Sequence, residues 1–163
     1  MALHYPVVRH LLACERIDRS NDSRHYSLIN VVHAIRPHPG ASYPRIHPEI
    51  QLFAVMTDGR GDLPFIIELV ALQWDEEELM YQSAEIRMNL GDNPLTIHAW
   101  PIRLRNIPFV RPGLYEFRLR CDGKIIAQEP ILLRESRLAT KSSPIAIMKF
   151  RSCFWTRRNS IVP

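Results

Sequence analysis

The chain has 163 residues, 46% of them hydrophobic and 23% charged, the size of one domain whose core needs neither a metal nor a disulfide to hold it. No apolar run approaches the length that spans a bilayer, and His4, Arg9, His10 and Glu15 interrupt the N-terminal apolar residues before a signal-peptide core forms, so a cytoplasmic protein is expected. The net charge of +4 hides a split: residues 1–136 hold 15 basic and 17 acidic residues, a net −2, whereas residues 137–163 hold six basic and no acidic ones, a net +6. Cys14, Cys121 and Cys153 are too few and too widely spaced for a disulfide framework, so reduced thiols are expected.

In chain order, residues 6–17 are an apolar stretch whose flanks favour a strand. The polar cluster 19–24 is a turn, and residues 26–35, rich in Val, Ile and Tyr, form its partner. Residues 36–48 contain four prolines and a glycine, which predict an irregular crossing from one sheet to another. Ile50, Leu52, Ala54 and Met56 define a strand that turns at 58–62. A second apolar strand covers 63–74, the acidic run 75–78 makes a tip, and 79–90 returns. Residues 91–94 turn again, and 96–104 is a further strand ending near Arg103 and Arg105.

The clearest stretch is 111–133, a β-hairpin. Pro112-Gly113 turns the chain, then Tyr115, Phe117, Leu119 and Cys121 alternate with Glu116, Arg118 and Arg120. Asp122-Gly123 supplies the positive φ angles of a two-residue type I′ turn. Tyr115, at the start of a late strand, sits where a tyrosine corner belongs. About eight strands with turns at sandwich spacing, and no sustained helical period, predict an all-β, Ig-like antiparallel sandwich over residues 1–136, with a basic C-terminal extension over 137–163.

The segments LLACERIDRSNDSRHYSLINVVHAI, YPRIHPEIQLFAVM and IRLRNIPFVRPGLYEFRLRCDGKIIAQEPILL resemble a bacterial domain-of-unknown-function family of single Ig-like β-sandwich proteins, over roughly residues 7–135. The resemblance implies a fold and brings no catalytic residues with it. Asn30 stands where a glycine is common in that pattern, and the residues after Ser136 lie outside it.

Histidines at 33, 38 and 47 bracket the proline-rich crossing, but their spacing matches no metal site, so solvent-facing or core-edge positions are expected and no cofactor is. Asp58, Asp62 and the acidic run 75–78 read as solvated loop tips, and Arg60 interrupts the first of them as a calcium loop. No nucleophile elbow, phosphate loop or zinc helix is present, which argues against an enzyme. Arg87, Arg103, Arg105, Arg118 and Arg120 all fall on the polar side of strands. They either make one basic sheet face or pair across strands with Glu85, Glu116 and Glu129. The extension adds Lys149, Arg151, Trp155, Arg157 and Arg158, a basic and aromatic mixture suited to an anionic surface. The expectation is a non-enzymatic interaction module that binds a protein partner; the alternative is a binder of nucleic acid or anionic membrane acting through the extension and an arginine face.

Overall fold

The computed structural model describes residues 4–21, 25–38, 40–73 and 76–135. These form ten strands: β1 (Val7–Arg19), β2 (Tyr26–Val31), β3 (Ala34–Ile35), β4 (Arg45–Thr57), β5 (Asp62–Leu72), β6 (Glu77–Gln82), β7 (Ile86–Asn89), β8 (His98–Phe109), β9 (Gly113–Cys121) and β10 (Lys124–Leu133). One sheet has the order β2-β1-β4-β8. The other has the order β3-β10-β9-β5-β6, with β7 also beside β5. The second sheet is mixed, because β3 runs parallel to β10 while its other pairs are antiparallel. Among the described residues no helix is long and apolar enough to cross a membrane.

The inner faces meet in one core. Leu11, Ala13, Ile50, Leu52, Ala54 and Met56 come from the four-stranded sheet, and Phe65, Ile67, Leu69, Tyr115, Phe117 and Leu119 from the other, all buried. Each large side chain so buried contributes about 1.5–3 kcal/mol. The 111–133 hairpin forms as its sequence predicts: Asp122 and Gly123 have φ of 48° and 75°, and Cys121 pairs with Lys124 across the turn. The Tyr115 hydroxyl donates to the Arg111 carbonyl at 2.8 Å and accepts from the Arg111 N–H at 3.3 Å, tying the corner that leads into β9.

Four strands differ from the sequence reading. Residues 26–35 split into β2 and β3, which lie in different sheets. The return over 79–90 breaks at 83–85, where the Ser83 hydroxyl accepts from the Ile67 N–H at 3.0 Å and donates to the Ala84 carbonyl at 2.8 Å; β6 and β7 therefore pair with different halves of β5. The strand expected over 96–104 starts at His98 and runs on to Phe109. Asn106 has a φ of 55°, which reverses the alternation, so that Ile102 and Leu104 before it and Ile107 and Phe109 after it are all buried. The proline-rich crossing also ends earlier than expected, since β4 is already paired at Arg45.

The β1–β2 hairpin curls over the outer face of the four-stranded sheet. In the ladders Phe53 lies opposite Leu12, while Tyr26 lies opposite Arg19, seven residues further along β1. A straight strand would set these rings about 23 Å apart, yet their centroids are 5.1 Å apart. The bend coincides with Asn30, whose φ is 53° and whose side-chain amide donates to Glu15 at 2.7 Å. Beneath the curl, the Gln51 carboxamide accepts from the Ile17 N–H at 2.9 Å. Cys14, which faces outward opposite Gln51, is 0% exposed without belonging to the inter-sheet core.

Candidate functional site

With β1 and the curled hairpin covering one side, the part of the outer face that stays open is the margin formed by β4 and β8. Among the described residues β8 pairs only with β4. Its free edge has a readable hydrogen-bonding register. Ala13 of β1 gives its carbonyl to the Val32 N–H rather than to β4, so by the two-residue period Leu12 exchanges its hydrogen bonds with Phe53 of β4. Phe53 therefore points its backbone groups away from β8, and its opposite residue there, Pro101, points away from β4. This is the position where a missing N–H costs nothing. Arg103 and Arg105 share that parity and present their N–H and C=O groups to the open side.

The side chains of the same two residues make the site basic. Arg103 Nε approaches Glu49 Oε1 at 3.2 Å and Arg105 Nε approaches Glu49 Oε2 at 3.6 Å. Gln51 Nε2 donates to the same carboxylate at 2.7 Å and holds it in place. Two guanidinium groups thus share one carboxylate, and their side chains are 57% and 66% exposed. In the segment before β8, Leu95 and Ile97 are 82% and 67% exposed, and Val110 is exposed just past the strand's end. Backbone donors and acceptors and surplus positive charge therefore lie along one edge, with exposed aliphatic residues in the segments that flank the strand. Sequence reasoning missed Glu49, Leu95 and Ile97; the alternation of Glu49 with Gln51 was the available signal for the first.

The five sheet arginines do not form one face. Arg103 and Arg105 lie on the outer side of the four-stranded sheet, whereas Arg87, Arg118 and Arg120 belong to the other. There Arg118, with its side chain 10% exposed, donates through Nη1 and Nη2 to Glu77 at 2.7 and 2.6 Å and through Nε to Glu116 at 2.6 Å. These hydrogen bonds hold its pKa above the ordinary arginine value, and Arg118 holds that of Glu77 below the ordinary carboxylate value. Arg120 meets Glu68 at 3.2 Å and the Gly123 carbonyl at 2.6 Å; Arg87 meets Asp62 at 3.0 Å and Glu85 at 3.5 Å. Of the acids expected to pair with arginines across strands, Glu85 and Glu116 meet Arg87 and Arg118 only from two residues away along the chain, and the acid opposite Arg118 is Glu68. Glu129 lies opposite Phe117, accepts from the Ala13 backbone, and its pKa is raised by burial. Lys149, Arg151, Trp155, Arg157 and Arg158 lie outside the described residues.

Among the described residues no group of three His, Cys, Asp or Glu side chains is arranged to hold a metal ion. His33 and His38 are exposed, and burial beside Arg45 lowers the pKa of half-buried His47. An open cleft of about 580 Å³ at the corner before β9 is lined by Leu72, Gln73, Arg111, Pro112 and Leu114 among others, and Arg111 is already paired with Glu78 at 3.3 Å. That lining brings no base beside a nucleophile. Cys121 lies in the core with its thiol pKa pushed up to about 11 by burial, which disfavours the reactive thiolate.

A family model described as Family of unknown function (DUF6941) matches residues 10–134. No curated protein matches the chain. Among solved structures, Pseudomonas fluorescens alkylpurine DNA glycosylase AlkC bound to DNA containing an abasic site analog is similar over 80% of this chain, with 8% identity and a TM-score of 0.44. This chain spans 30% of the length of that one.

Proposed function

The chain belongs to the DUF6941 family, whose function is unknown, and from its own surface we propose that it is a non-enzymatic interaction module that binds a protein partner by strand addition at the free edge of β8. The observation that carries this reading is a strand of twelve residues that, among the described residues, is paired on one edge alone, and whose other edge offers the backbone donors and acceptors of Arg103 and Arg105. Main-chain hydrogen bonds at such an edge supply affinity, and flanking side chains supply selection. The sandwich itself is read as Ig-like. The pairing of β1, β4 and β8 corresponds to strands A, B and E, that of β5, β9 and β10 to C, F and G, and the Tyr115 corner falls at the start of the F-like strand. A reading through one arginine face has less support, since the arginines of the six-stranded sheet are each engaged by carboxylates.

The register supplies a specific test. Arg103→Pro removes an outward N–H that the ladder with β4 does not use, while Arg103→Ala keeps it. Both variants are compared with the parent chain by thermal unfolding and by affinity capture from an extract of the source cells, at low and moderate salt. The expected result is a protein partner retained by the alanine variant and lost by a folded proline variant. Equal capture by a folded proline variant overturns strand addition at β8. Capture that consists of nucleic acid or lipid, and vanishes at moderate salt, overturns the protein partner.

A further inference from the structure

We infer that the segment accepted by β8 is a short acidic strand carrying two carboxylates two residues apart; this rests on strand addition at that edge. Its length follows from the backbone. Pro101 has no N–H, and the left-handed Asn106 reverses the alternation, so the usable stretch is residues 101–105, with carbonyls at 101, 103 and 105 and donors at 103 and 105. A partner of four or five residues fills it.

Its charge follows from the side chains. Arg103 and Arg105 stand two residues apart on the solvent side of the sheet, so a strand laid alongside places alternate residues directly against them. The shortest approach of each arginine to Glu49 is through Nε, and one carboxylate serves two guanidinium groups. Incoming carboxylates can take the terminal nitrogens in the forked geometry that arginine favours. The other occupants are selected against by the same charges. A second copy of the chain pairing β8 against β8 would set arginines opposite arginines, which is destabilising. The segment 137–163 of this chain has six basic and no acidic residues.

The test uses the full chain and two synthetic nine-residue peptides of alternating valine, one with aspartates and the other with asparagines at two central positions two residues apart. Binding is followed by amide chemical shifts and by calorimetry. The aspartate peptide is expected to bind at least tenfold more tightly than its twin and to shift Arg103 and Arg105 amides. That preference should vanish in Arg103→Ala/Arg105→Ala and shrink with salt. Glu49→Gln removes the competing carboxylate and should tighten the aspartate peptide several-fold, a change that a purely structural ion pair does not produce. If the two peptides bind β8 equally, the acidic specificity is wrong and strand addition stands. If the aspartate peptide binds elsewhere, or neither peptide binds, both fail.

Discussion

The tripeptide Arg-Leu-Arg occurs twice, at 103–105 in β8 and at 118–120 in β9, and its two fates differ. In both places the leucine is buried and the arginines point away from the core. In β9, flanked by β5 and β10, the guanidinium groups meet Glu68, Glu77 and Glu116 and become part of a closed network. In β8, which among the described residues pairs with β4 alone, the same groups share Glu49. The local sequence is identical, so the number of neighbouring strands decides whether an arginine pair supports the sheet or stays available to a partner. Buried and hydrogen-bonded charges are costly to unpair, while exposed pairs contribute little either way.

The largest test of this contrast is at the leucines. Leu119→Ala should cost about 3–5 kcal/mol in urea unfolding, and Leu104→Ala, at the edge where the site relaxes more easily, about 2–3 kcal/mol. Equal costs would mean that edge and centre pack alike. Next come the carboxylates. Glu116→Ala leaves Arg118 Nε unpaired under neighbouring side chains and should cost about 1–3 kcal/mol, whereas Arg103→Ala should change stability by less than about 0.5 kcal/mol.

Acid titration separates the sheets further. The folded-state pKa of Glu77 is depressed by Arg118, so its contribution is present above the ordinary carboxylate pKa and is lost as pH falls through the depressed value. Glu77→Gln should flatten stability against pH in that window. An unchanged profile would remove the linkage. The smallest expected effect is on salt: because the Arg118–Glu116 pair is shielded on both sides, raising ionic strength should weaken the exposed Glu49 contacts measurably and that pair hardly at all.

Much of the β9–β10 hairpin was legible, because Asp122-Gly123, Tyr115 and the alternation of Phe117, Leu119 and Cys121 are local signals that agree with one another. The candidate edge was not. Nothing near Arg103 states that β8 pairs with β4 alone among the described residues, and Arg118 meets Glu77 across 41 positions of sequence. The acidic run holding Glu77 reads as a solvated tip until the β5–β6 pairing brings it beside β9. Asn106 hid the end of β8 because a left-handed residue inside a strand breaks the period that identifies strands. Glu129 misled for the converse reason: β10 is irregular between Ile125 and Ala127, so counting from the turn puts this residue on the wrong face.

The curled hairpin turns the two described cysteines into independent reporters of motion. Cys121 lies among core side chains between the sheets, while Cys14 lies outside them, under the hairpin bent at Asn30. Both thiols are buried and both have raised pKa values. Lifting the hairpin alone bares Cys14; baring Cys121 requires the sandwich to separate. Alkylation rates at the two positions, read in one mass spectrum, therefore time the opening of the arm against the opening of the whole domain.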